Sequence, residues 1–176
     1  MHSKIISLWR KLDAENMALF NDIEKIDPAL LNTRPTPEAW SVNHNVLHLM
    51  LAERNSLKYL EKKISFGEPI PKANYKSTLR WLALKLAFDV PMLKFKAPKA
   101  IATMPEILDY TDLKTQYALE RSKFKHFLEN LPEHLVEADL YKHPRAGKMT
   151  VLHMLDFFIS HAKRHRNQIK RTIKNF

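Results

Sequence analysis

The chain of 176 residues contains no cysteine. Disulfides, cysteine zinc fingers and a thiol nucleophile are therefore excluded, and any metal must be held by histidine and carboxylates. Glycine is nearly absent as well: Gly67 and Gly147 are the only two, too few for a turn-rich β fold. No apolar run reaches membrane-spanning length, and the opening MHSKIISLWRKLDAEN lacks the apolar stretch of a signal peptide. The expectation is a cytoplasmic protein that engages no membrane. The length fits a single domain, 1–176, with enough chain to bury a sizeable core.

Proline is plentiful but segregated. Ten prolines lie between long proline-free segments, the punctuation of an all-helical protein. Four long segments carry a helical period. The first, about 3–26, places Ile6, Trp9, Leu12, Phe20 and Ile23 on one stripe and ends before Pro28. After the linker NTRPTPEAWS, Ser41 is the predicted N-cap of a second helix over about 42–64. A shorter amphipathic piece, about 78–89, follows. The third long helix spans about 106–130, between Pro105 and Pro132, and the fourth about 150–173, with Thr150 as its cap. No strand is predicted. These segments predict an all-α antiparallel four-helix bundle with a long connection between helices two and three.

The net charge of +10 raises the question of nucleic acid. Lysine and arginine are spread along every segment, on faces that a helix turns to water, so no sequence-specific nucleic-acid partner is expected. KRHRNQIKRTIK, near the C-terminus, is the densest basic run.

Within the last helix, Met154, Phe158, Ala162, Ile169 and Ile173 define the apolar face at about 100° per residue. His161 and His165 fall with that apolar group, one turn apart, and Gln168 follows a turn later. An inward imidazole needs partners for its ring nitrogens, either carbonyls and buried water or a shared metal ion. In the second helix His48 lies at the edge of the stripe of Val42, Val46, Leu49, Leu60 and Ile64. If helices two and four are neighbours, His48 meets His161 and His165 in a three-nitrogen site with an open position, suited to zinc, nickel or a similar divalent ion. His44, nearer the polar side, reads as rim or surface; as a fourth ligand it would close the site. Protonation of imidazole, at an unperturbed pKa of about 6.5, would release the metal as pH falls.

Trp40-Ser41 followed by Val46-Leu47-His48-Leu49 resembles one signature of the DinB-like (YfiT-like) superfamily. His143-Pro144, Gly147 and Thr150, followed by His161, Arg164-His165 and Gln168-Ile169, resemble its closing signature. Leu93-Lys94-Phe95-Lys96-Ala97-Pro98 is similar to the mid-chain linker of one branch. The resemblance implies a four-helix bundle with a divalent metal on His48, His161 and His165. It also implies chemistry of the thiol S-transferase or hydrolase kind on a small-molecule substrate, such as a low-molecular-weight thiol, and a homodimer is a further expectation. A metal bundle without catalysis, serving stability or sensing, is the alternative.

Such chemistry calls for groups near the ligands. Glu53, on the apolar side of helix two, is the candidate to orient a ligand or act as a base; its other reading is a buried pair with Arg or Lys. Gln168 is the candidate to hydrogen-bond a substrate or a ligand. His153 lies off the site and reads as structural. His143 reads as a turn residue or as the mouth of the site. Tyr59 and Tyr117 are possible sources of hydroxyl groups.

Overall fold

The computed structural model describes residues 1–37, 39–89 and 107–174. Its helices are α1 (Ser3–Ile23), α2 (Val42–Ser65), α3 (Tyr75–Asp89), α4 (Tyr110–Glu129), α5 (Glu133–Val136) and α6 (Val151–Ile173). A 3-10 turn over Pro28–Leu30 and an antiparallel pair, β1 (Tyr141–His143) and β2 (Gly147–Met149), complete the described elements. The chain is thus mostly helical. No helix among the described residues is long and apolar enough to cross a membrane. The Leu93–Pro98 stretch, singled out in the sequence, lies outside the described residues.

The helix starts follow the cap chemistry. Ser41 Oγ accepts from the His44 amide at 3.2 Å, and Thr150 Oγ1 from the His153 amide at 3.1 Å. Each supplies one of the first-turn amides, which have no partner within their own helix. Asp109 does the same for α4 through the Asp112 amide at 2.8 Å. Lysine and arginine close α2 and α6 at Lys62, Lys63, Lys170 and Arg171, where cations complement the helix dipole.

α1 lies along α6, α2 packs against both α4 and α6, and α3 covers α6 and β2. The second and last long helices are therefore neighbours, the condition that a site shared between them requires. Leu12, Leu60, Phe124 and Phe158 centre one apolar cluster; Ile23, Val46, Met50, Tyr117 and Ile169 centre a second. The stripe of α1 differs from the sequence expectation. Ile5, Trp9, Leu12, Asn16, Leu19 and Ile23 are buried, while Ile6 and Phe20 are only half-buried. A polar Asn16 in mid-stripe hides this period. Its amide nitrogen donates to the Leu12 carbonyl at 3.1 Å, and its Oδ1 lies 3.2 Å from the Tyr117 hydroxyl oxygen.

The strands also depart from expectation. Tyr141 pairs with Met149, Lys142 with Lys148 and His143 with Gly147. Three-residue strands are too short for a period-2 pattern to stand out from a loop. The turn closes at Gly147 with φ +85°, a conformation that costs glycine little. Inside the turn, His143 Nδ1 accepts from the Arg145 and Ala146 amides at 3.2 and 3.1 Å.

Between α1, α2 and α4 lies a charged network that is buried at Glu53 and Arg121 and reaches solvent at Asp13. Arg121 Nη1 donates to Glu53 Oε2 at 2.8 Å, its Nη2 donates to Asp13 Oδ1 at 2.5 Å, and the Tyr117 hydroxyl donates to Glu53 Oε1 at 2.8 Å. The guanidinium also sits 4.4 Å from the Trp9 ring centre. Burial pushes the Glu53 carboxyl up, and Arg121 with the hydrogen bonds opposes that shift. Removing one member strands the other in the core. Glu53→Ala is expected to lower unfolding free energy by about 3 kcal/mol; urea denaturation followed by circular dichroism measures it.

Candidate metal centre

α2 delivers His48 and α6 delivers His161 and His165, so the site exists only where these two helices meet. His48 Nε2 lies 3.0 Å from His161 Nε2, and His165 Nε2 lies 3.1 Å from the same atom. One ligand atom from each residue falls within 4.8 Å of the others, an arrangement able to hold a metal ion. All three side chains are buried.

A second hydrogen bond fixes the proton on one ring. Asn45, fully buried on α2, donates from its amide nitrogen to the Ser41 carbonyl at 2.8 Å. That bond assigns the amide orientation, leaving Asn45 Oδ1 as the atom 2.8 Å from His165 Nδ1. An amide oxygen only accepts, so His165 Nδ1 carries the proton and its Nε2 presents a lone pair to the centre. Hydrogen bonds alone cannot then satisfy the three converging nitrogens. If His161 Nε2 donates to His165, it has no lone pair left for His48; if it accepts from His48, it faces the His165 lone pair without a proton between them. A cation shared by three lone pairs removes this conflict, and the donor set fits such an ion. The group contains no carboxylate, so an ion held there would keep its full positive charge.

The walls are aromatic. Trp40 stacks on His165 at 5.9 Å and lies 4.8 Å from His48; Phe157 stacks on His161 at 5.2 Å, with Phe88 edge-on to it at 5.9 Å. Burial among these rings pushes the His48 pKa down to about 4 and holds His161 and His165 well below the usual histidine value. For the last two, the positive charge of a neighbouring protonated imidazole and of Arg164 adds to the shift. All three rings are therefore neutral at pH 7, the form that ligates metal. Among the described residues, His48 Nδ1 and His161 Nδ1 are buried and have no hydrogen-bond partner.

The remaining candidates lie outside this trio. The Glu53 carboxylate is bonded to Arg121 and Tyr117, and the half-buried Gln168 stands on α6 beyond His165. His153 stacks on Trp81 at 5.1 Å, and Tyr59 is partly exposed. His143 is buried at the end of β1, 4.7 Å from the Phe157 ring that covers His161. His44 corrects the sequence expectation of a rim or surface residue, for it is 1% exposed. Its Nδ1 lies 2.6 Å from Ser41 Oγ and its Nε2 3.2 Å from Arg34 Nη2. The segment before α2 folds over this face, as the bond from the Asn43 amide to the Leu31 carbonyl shows. A helical wheel has no knowledge of a covering loop. Sequence reasoning missed Asn45 and the stacking role of Trp40. The available signal was spacing: Ser41, Asn45 and His48 recur at helical intervals along one side of α2.

These shifts set an acid limit on the fold. His48 and His143, both with pKa values near 4, take up protons on unfolding wherever the pH lies between about 4 and 6.5. The unfolded chain binds more protons in that window, so stability is full above about pH 6.5 and falls as pH drops toward 4. Each of the two is expected to remove up to about 1.4 kcal/mol per pH unit from the metal-free protein. Urea midpoints across that range measure the loss.

The sequence model of the DinB superfamily matches residues 11–169. A protein of Bacillus subtilis (strain 168), described as the uncharacterized protein YuaE, is 26% identical over 151 residues, covering 86% of this chain and 88% of its own length. The family match takes in α2 and nearly all of α6, and so every histidine of the trio. The chain belongs to the DinB superfamily.

Proposed function

We propose that this protein is a metal-dependent enzyme of the thiol S-transferase or hydrolase kind, with His48, His161 and His165 holding one divalent ion, zinc or nickel. The observation that carries the reading is the convergence of three buried, neutral Nε2 atoms whose mutual hydrogen bonding cannot be completed by protons. An ion held by these three neutral nitrogens would supply Lewis acidity toward a carbonyl, a water or a thiolate.

The protein's own groups then have assignable tasks. Asn45 sets the tautomer and angle of His165. Trp40, Phe88 and Phe157 exclude water around the trio and strengthen electrostatic contacts made there. Gln168, a turn beyond His165, is the proposed hydrogen-bonding contact for a small-molecule substrate such as a low-molecular-weight thiol. Glu53 is assigned to holding Arg121, because both its oxygens are engaged in the buried network. The long helices α1, α2, α4 and α6 are read as an antiparallel four-helix bundle, its long connection running between α2 and α4. A cytoplasmic location, as the sequence leads one to expect, is part of the proposal.

Specific nucleic-acid binding is not part of the proposal. Within the densest basic run, Arg166 pairs with Asp22 at 2.5 Å and Lys170 pairs with Asp22 at 3.2 Å, both turned onto α1. Scattered cations give salt-sensitive phosphate contacts without base readout.

Elemental analysis of protein purified without a metal-affinity tag tests the site. We expect about one divalent ion per chain, retained in His153→Ala and lost in the triple variant His48→Ala, His161→Ala, His165→Ala. Full occupancy in the triple variant would refute the assignment. Asn45→Ala is expected to weaken metal binding by about 10- to 100-fold, read by competition with a chromophoric chelator. A panel of thiols with electrophiles, and of esters, then tests catalysis; a loaded protein inert toward all of them belongs to the silent metal bundle.

A further inference from the structure

The loop that leads into α2 brings two groups to the histidine trio. Trp40 supplies the ring stacked on His165 and set 4.8 Å from His48. Ser41 supplies the carbonyl that anchors the Asn45 side chain at 2.8 Å. Backbone outside regular structure has no ladder of hydrogen bonds to fix it, so a loop with this task must be held by side chains. Asn43 holds one part: its backbone amide donates to the Leu31 carbonyl at 3.0 Å, and its side chain donates to Asn32 Oδ1 at 3.2 Å.

His44 holds Ser41 itself. The ring is 1% exposed and stands between an arginine and a serine, with Nε2 3.2 Å from Arg34 Nη2 and Nδ1 2.6 Å from Ser41 Oγ. A guanidinium only donates, so Nε2 accepts. A protonated ring would set two donors face to face; the ring is therefore neutral, and its proton sits on Nδ1 and goes to Ser41 Oγ. That oxygen also accepts from the His44 backbone amide at 3.2 Å. Ser41 is thus gripped twice, by His44 at its side chain and by Asn45 at its carbonyl. Arg34, exposed, also donates from Nη1 to the Pro37 carbonyl at 3.3 Å, so one guanidinium braces the loop and orients the ring.

We propose that Arg34 and His44 are positioning residues of the metal centre: through Ser41 they fix Asn45 and Trp40, and with them the tautomer and angle of His165. The inference rests on the metal reading given above. The hydrogen bonds run without a break from Arg34 to His44, from His44 to Ser41, from Asn45 to the Ser41 carbonyl and from His165 to Asn45. Substitutions at exposed positions usually change little, but this one reaches a buried ligand. Without the guanidinium, the His44 proton can move to Nε2, and Nδ1 then withdraws its donor from Ser41 Oγ. A plain helix cap makes a different forecast. Capping uses the His44 backbone amide and needs neither the imidazole nor Arg34.

Zinc affinity, read by competition with a chromophoric chelator on the full chain, gives the first test. Arg34→Met and His44→Phe are each expected to weaken binding about 10-fold, the lower end of the effect of a group that orients a ligand. Combined, they should weaken it no more than His44→Phe alone, because both act along one path. His44→Asn, which keeps a donor near the Nδ1 position, should recover most of the loss. The second test needs no metal. In the metal-free protein, long-range proton–nitrogen NMR should show His165 as the Nδ1–H tautomer, and Arg34→Met should turn that signal into a mixture while the helical circular-dichroism signal stays intact. Wild-type affinity in both single variants, losses that add in the double variant, or an unchanged His165 signal in Arg34→Met would overturn the proposal. A wild-type chain that binds no zinc sinks the functional reading instead, and the His165 signal then decides this inference by itself.

Discussion

The hydrogen bond from His165 Nδ1 to Asn45 Oδ1, with Asn45 itself anchored on the Ser41 carbonyl, decides what the centre of this protein is. Without it, three buried imidazoles could distribute their protons in several ways and pass for polar core residues. With it, one Nε2 is an obligate acceptor and the other two cannot both be satisfied within the trio. The same Ser41 caps α2 through its side chain. The start of α2, the orientation of Asn45 and the lone pair of His165 thus descend from one turn of backbone.

The surroundings are arranged around that demand. Aromatic rings stack on His161 and His165 and exclude solvent, which keeps the rings neutral and holds their orientation. α3 contributes Phe88 to this wall and is pinned to α6 by Trp81 and Lys85 on Asp156. A helix whose inner face closes the site and whose outer face is apolar links the histidine trio to the molecular surface.

Charge in the core is handled separately. Glu53, Arg121, Asp13 and Tyr117 form a network whose members satisfy one another, with Asn16 completing the Tyr117 contact. Such networks cost desolvation and add geometric definition when fully bonded. Here the network joins α1, α2 and α4 on one side of α2, while the imidazoles join α2 to α6 on the other. α2 is therefore held by polar chemistry on two faces, consistent with the unusually many polar residues buried along it.

The sequence by itself determined the helices, their caps at Ser41 and Thr150, and the inward faces of His161 and His165. These depend on a helical period and on first-turn amides, both of which are local. It also determined that a metal, if held, would be held by nitrogen or oxygen, because sulfur from cysteine is absent. Tertiary structure alone decided that His48 meets the pair on α6, since adjacency of two helices is not a property of either. It decided equally that His44 is buried under the preceding loop and that Asn45 reaches across to His165. The same holds for Glu53, which pairs with an arginine sixty-eight residues away. A helical wheel gives direction around one axis; which neighbour stands there depends on packing between segments distant in the chain.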